Sequence, residues 1–253
     1  MSVAAAILAG GGGTRMGEGV VKGLLSVGGQ RIIDRQLAVL RPLFAEVLIA
    51  ANDPEPWAGL RLRVVPDRSV SDPLPPLRGR ARERASLARG EPRGTPAVAP
   101  RLSQGLPSPS PSPADGRGDR IGPIAGLDAI LATLAPSVDA VVCVAGDMPF
   151  LAAPLLEHLR DAAPTAAALV PRIAGRAEPL LARYARAVAP VVGDQIANGR
   201  YAMADLLARL DGGVVWLDEP ALRALDPDLR SIVNVNTPAD LARLAAHDPT
   251  PRL

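Results

Sequence analysis

The sequence predicts an α/β fold: one three-layer α/β/α domain around a mostly parallel, wound sheet. Three observations lead there. Short, nearly continuous apolar runs alternate with stretches whose apolar residues recur at helical spacing, the order expected when strands and crossover helices follow one another. The runs lack the polar alternation of a half-exposed strand, so they suit strands covered on both faces. Several of them end in Gly, Asn or Asp, residue types that turn a chain and supply ligand contacts at the carboxyl rim of such a sheet.

The strands expected in the first part of the chain are VAAAIL (3–8), EVLIAA (46–51), LRVVP (62–66) and AVVCVAG (140–146). RIIDRQLAVLRPLF (31–44) and IAGLDAILATLA (124–135) carry helical spacing between them. The later chain adds a strand-like AAALVPRI (166–173), a helix over YAMADLLARL (201–210), a strand-like GVVWLD (213–218) and a closing helix after Asn236. Thr237 is placed to cap that helix, with Pro238 at its first position, where a missing N–H costs nothing.

Residues 71–120 break the pattern. They contain ten prolines, nine arginines and five acids, PSPSPSP among them, for a net charge of +4 against −2 in the remainder. Such a composition cannot bury enough apolar surface to order itself. The expected organisation is therefore one domain over 1–248, a flexible insertion at 71–120 and a short tail at 249–253.

Composition excludes several function classes. Of 253 residues, 48% are hydrophobic but only six are aromatic, so the core must be built from Ala, Leu, Val and Ile. A net charge of +2 does not predict a partner in nucleic acid or at a membrane surface. No apolar run approaches the roughly 18 residues of a membrane-spanning helix. The single cysteine, Cys143, allows no internal disulfide and no thiolate metal cage. It sits in an apolar strand, and His158 and His247 fall in helical or tail stretches, so packing roles are expected for all three. A cytoplasmic protein is expected.

The rim residues carry the chemistry. After the first strand come Gly10, Gly11, Gly12 and Gly13; after the second, Asn52 and Asp53; after the third, Asp67; after the fourth, Asp147. The glycine run is neither a dinucleotide fingerprint nor a P-loop, because Arg15 follows it instead of a helix and no Gly-Lys-Ser/Thr closes it. Its bare backbone can still approach an anion, and Arg15 and Lys22 add positive charge, which suits a triphosphate. Asp147 would offer a hard oxygen to Mg²⁺ on nucleotide phosphates, with Mn²⁺ able to substitute; Asp67 either shares that metal or touches the nucleotide. Lys22 is the chain's sole lysine among 28 basic residues, a place where a compact ammonium is wanted in preference to a planar fork.

LAGGGGTRMG (8–17) followed by KGLL (22–25), GPIAGL (122–127), GDMPFL (146–151) and NVNTPADL (234–241) resembles the molybdenum cofactor guanylyltransferase (MobA) family, within the nucleotidyltransferases that open on an LAGG loop. The resemblance spans almost everything outside 71–120 and implies a Rossmann-like nucleotidyltransferase sheet. It implies GMP transfer from GTP to the phosphate of molybdopterin or molybdenum cofactor, with Mg²⁺. Leu8, Ala9 and Gly10 would frame the nucleotide, with Gly11, Gly12, Gly13, Arg15 and Lys22 about its phosphates. Asn52 and Asp67 would contact the guanosine, and Asp147 would bind GTP through the metal. Asn234 and Asn236 would lie on the pterin side. Molybdoenzyme-specific chaperones or cofactor-insertion proteins would be its partners. Two departures stand out: Val21 precedes the lysine where the family often has a polar residue, and the spacing to Lys22 is one residue longer. The same loop, lysine and carboxylate would also serve a cytidylyltransferase for this cofactor, a transferase for another phosphorylated metabolite, or a nucleotide-binding regulator without turnover.

Overall fold

A computed structural model describes residues 1–10, 20–67 and 122–246. Gly11, Gly12, Gly13, Arg15, the 71–120 insertion, His247 and the 249–253 tail lie outside the described residues.

The order of elements begins with β1 (Val3–Leu8), a small hairpin of β2 (Ser26–Val27) and β3 (Gln30–Arg31), α1 (Ile32–Leu43), β4 (Val47–Ala50) and β5 (Arg63–Val65). It continues with α2 (Pro123–Thr133), β6 (Ala140–Ala145), α3 (Ala153–Asp161), β7 (Ala168–Ile173), β8 (Arg176–Ala177), β9 (Leu181–Ala185) and α4 (Ala189–Ala197). The last elements are α5 (Met203–Leu210), β10 (Val214–Asp218), α6 (Glu219–Leu225) and α7 (Pro238–Ala246).

The main sheet runs β10-β7-β9-β6-β1-β4-β5, with β8 folded onto β7. β1 is parallel to both β4 and β6, β4 to β5, and β7 to β10. β9 runs against both its neighbours, Leu181 facing Val144 and Tyr184 facing Ala168. All four strands expected around the rim are present. β9 did not declare itself in the sequence, because Arg183 sits in the middle of LARYA and yet is fully buried. A charge at a core position reads as an exposed face until the fold is known.

The strand side chains alternate between two apolar layers. Ala4, Ala6, Leu8, Val141 and Cys143 pack under α2, α4 and α5. Ala5, Ile7, Val142 and Val144 pack under α1, α3 and α6. Alanine on β1 lets helices close in from both sides, which is how a chain with few aromatics fills its core. A third small cluster, Val27, Ile32 and Val235, fastens the β2–β3 hairpin to the approach of α7. Burial pushes the Cys143 thiol up to about 12, so it stays protonated and inert.

Candidate active site

The carboxyl ends of β1, β4, β5 and β6 share one rim, and two groups of side chains stand on it. On the outer half, beyond β4 and β5, Asn52 and Asp67 hold each other. The Asp67 backbone N–H donates to Asn52 Oδ1 at 2.9 Å, and Asn52 Nδ2 donates to Asp67 Oδ2 at 3.3 Å. Two glycines let this carboxylate in. A Cβ on Gly10 would stand 2.6 Å from Asp67 Oδ2, and one on Gly126, in the first turns of α2, 3.3 Å from Asp67 Oδ1. That second oxygen is buried and accepts no hydrogen bond among the described residues. Burial raises the Asp67 carboxyl above the ordinary carboxylate range, with the Asn52 bond pulling the other way. An acceptor atom left without a donor is a place for a ligand N–H or O–H. Asp53 does something else: its carboxylate accepts the Glu55 N–H at 3.0 Å and caps the turn that follows.

On the central half, Lys22 Nζ donates to Asp147 Oδ2 at 3.0 Å and to Asn236 Oδ1 at 2.7 Å. Three distant parts of the chain meet at this ammonium, and each is fixed from behind. Lys22 opens a short 3₁₀ turn whose Gly23 lies against the Trp57 ring, where a Cβ would come within 3.0 Å of it. Asp147 follows Gly146, whose N–H donates to Leu8 O at 3.0 Å and whose Cβ, if it had one, would stand 3.2 Å from Ala9 Cα. Leu8, Ala9 and Gly146 are thus backbone against backbone. From inside, buried Gln36 on α1 donates to both Ala145 O (2.7 Å) and Met148 O (3.0 Å), shaping the turn that carries Asp147. Gln36 was missed by the sequence reading, although one amide among the apolar positions of α1 was a usable signal.

The Asn236 backbone is held by a capping box, with Asp240 in the place of the usual Glu. Thr237 Oγ1 accepts the Asp240 N–H at 3.1 Å, while Asp240 Oδ2 accepts the Asn236 and Thr237 N–H groups at 3.1 and 3.0 Å. The Thr237 hydroxyl bond, then the backbone bonds, hold the Asp240 carboxyl below its ordinary value. Val235 N–H donates to Asp147 O at 2.9 Å and ties this segment to the rim. Asn234 is half-buried two residues away, and its side-chain oxygen accepts no hydrogen bond among the described residues.

Asp147 and Asn236 thus point oxygens at one small cation, here the lysine ammonium. Among the described residues no cluster of three or more His, Cys, Asp or Glu could cage a metal unaided. Two protein oxygens with the rest supplied by phosphate and water is the habit of Mg²⁺ at nucleotide sites, so the donor set fits a hard divalent ion.

Of the residues singled out from sequence, Gly10, Asn52 and Asp67 gather on the outer half, Lys22, Asp147 and Asn236 on the central half, and Leu8 and Ala9 run between them. No described helix is long and apolar enough to cross a membrane.

Comparison with known proteins adds the family. The MobA-like NTP transferase domain profile matches residues 5–83 and 107–214. The molybdenum cofactor guanylyltransferase of Rhodobacter capsulatus is 32% identical, covering 96% of this chain and 95% of its own. A probable molybdenum cofactor guanylyltransferase of Pelotomaculum thermopropionicum is 28% identical over 94% of this chain and 89% of its own. The crystal structure of molybdopterin-guanine dinucleotide biosynthesis protein A from Archaeoglobus fulgidus superposes with a TM-score of 0.65 at 25% identity, covering 98% of both chains. A 4-diphosphocytidyl-2C-methyl-D-erythritol synthase from Anaerococcus prevotii shares the fold, TM-score 0.61 at 12% identity over 97% of this chain and 95% of its own. With its rim geometry, its profile match over most of the chain and a near full-length relative, the chain is a nucleotidyltransferase and belongs to the MobA-like NTP transferase family.

Proposed function

We propose that this protein transfers GMP from GTP to the terminal phosphate of molybdopterin or molybdenum cofactor and releases pyrophosphate. The observation that carries the reading is Lys22 held between Asp147 and Asn236 on the rim, beside a separate polar cluster at Gly10, Asn52 and Asp67. The names of the relatives support guanylyl transfer to this cofactor.

The roles follow from position. Leu8, Ala9 and Gly10 frame the nucleoside, and the free Asp67 oxygen with Asn52 accepts its N–H and O–H groups. Gly11, Gly12, Gly13 and Arg15, by the family resemblance, would cradle the phosphates. Lys22 neutralises charge at the α- and β-phosphates, and Asn236 and Asp147 keep its ammonium aimed. An acceptor phosphate oxygen attacks the α-phosphorus in line; the bond from α-phosphorus to the bridging oxygen breaks, and the electron pair leaves with pyrophosphate. No side-chain nucleophile is required, because placing the reactants and neutralising charge supply most of the rate. Asp147 would also hold Mg²⁺, which would supply charge neutralisation at the phosphates. Asn234 and Asn236 face the acceptor side. A cytosolic site of action, and hand-over of the product to cofactor-insertion proteins, go with this reading.

The test is pyrophosphate release by purified protein with molybdenum cofactor and Mg²⁺, comparing GTP, CTP and ATP. Turnover with GTP alone is expected. Turnover with CTP alone would move the nucleotide, and silence with all three would end the enzymatic assignment of this acceptor.

A further inference from the structure

The reversed strand β9 puts one more carboxylate on the active rim. β9 runs down from the rim beside β6, with Leu181 opposite Val144, so the residues just before Leu181 stand next to the point where β6 leaves the sheet for Gly146 and Asp147. Those residues are Glu178, Pro179 and Leu180. Strand order makes the rim read, from one side to the other, Glu178 by β9, Asp147 after β6, Gly10 after β1, Asn52 after β4 and Asp67 after β5. Adjacent strands lie about 4.8 Å apart. Glu178 therefore lies one strand from the reaction centre, on the flank away from the nucleotide pocket.

The turn is rigid. β8 folds back on β7 through Ala174 and Gly175, both at positive φ (47° and 78°). Glu178 N–H donates to Pro171 O at 2.9 Å, and Leu181 N–H to Glu178 O at 3.1 Å. Tyr184, fully buried, donates its hydroxyl to Pro179 O at 2.8 Å. Yet the Glu178 carboxylate, half-buried, accepts no hydrogen bond among the described residues. Burial raises its pKa, and the charge of Arg176 acts in the opposite sense. The backbone of this turn is fixed, and the half-buried Glu178 carboxylate stays open to a ligand N–H.

An acceptor bound on this flank of the rim can supply that donor. A carboxylate repels phosphate, so it faces the acceptor's other end. A pterin carries a ring N–H and an exocyclic NH₂ side by side, two donors spaced to meet the two oxygens of one carboxylate. We propose that Glu178 is a specificity-determining residue that receives the 2-amino-4-oxopyrimidine edge of the acceptor's pterin. This rests on the acceptor reading above.

The test uses the whole protein with Mg²⁺ and a non-hydrolysable GTP analogue, and titrates pterin against lumazine, in which a carbonyl replaces the 2-amino group. Wild type should bind pterin more tightly. Glu178→Gln places an amide N–H opposite that position, so it should invert the preference, a change that a merely structural glutamate would not produce. In turnover, Glu178→Gln should raise the acceptor KM about tenfold to a hundredfold, with the KM for GTP within about twofold of wild type. An unchanged pterin-to-lumazine ratio in a folded Glu178→Gln protein overturns the proposal. Wild-type protein that prefers pterin but transfers no nucleotide to molybdenum cofactor would overturn the functional reading and leave the Glu178 contact standing.

Discussion

The lysine at position 22 is held by two oxygens at 3.0 and 2.7 Å, in a gap sized for an ammonium. A guanidinium is longer and planar, so Lys22→Arg should lower kcat/KM about as far as Lys22→Ala, on the order of 10²- to 10³-fold, the usual effect of losing one preorganised charge contact. Steady-state kinetics check this. Lys22→Ala should also lower the melting temperature, because the lysine and aspartate side chains are only 20% and 19% exposed and truncation leaves the Asp147 charge without its partner. Asp67 behaves differently. Because its folded pKa is raised, its ionised form costs stability, and that cost is relieved as pH falls through the folded value. Asp67→Asn should therefore leave stability at neutral pH equal or higher and remove that acid-side gain, while GTP affinity drops. Melting curves from pH 4 to 8, with GTP titrations, separate the two effects.

At the scale of elements, the site depends on close approach of strand ends. A methyl group on Gly146 would meet Ala9 Cα at 3.2 Å and Leu8 O at 3.3 Å, both backbone atoms that cannot swing aside. Gly146→Ala should cost about 1–3 kcal/mol by denaturant unfolding and shift Asp147 enough to depress turnover. The expected strands and the helices α1, α2, α5 and α7 were legible because apolar periodicity survives in their residues; even the Thr237–Pro238 start of α7 could be read. β9 was hidden by buried Arg183, and α4 and α6 went unread although Pro stands at the second position of each. Glycines and rim carboxylates were legible as site residues because strand ends announce them. Gln36, Trp57 and Glu178 were not, because their roles come from partners distant in the chain or from strand order, and local sequence carries neither.

For the whole molecule, the chain leaves the site at Asp67 and returns at Gly122, and Gly126 then packs on Asp67. The family profile matches up to residue 83 and resumes at 107, so 84–106 is surplus to the pattern. Replacing 84–106 with a short Gly/Ser linker should leave melting temperature and GTP turnover close to wild type, since shortening a loop changes its closure entropy slowly. A collapse of turnover in that variant would give the segment a working part in the reaction.

The antiparallel course of β9 has one more consequence. In a sheet wound wholly in parallel, only connections that follow a strand can reach the working edge. One strand pointing the other way admits a connection that precedes a strand, and it does so beyond the far side of β6 from β1, β4 and β5. On the proposed reading, residues 174–180 meet the acceptor's ring end from a stretch that carries none of the proposed nucleotide contacts. A lineage could rewrite residues 174–180 to greet a new acceptor while inheriting its nucleotide chemistry untouched.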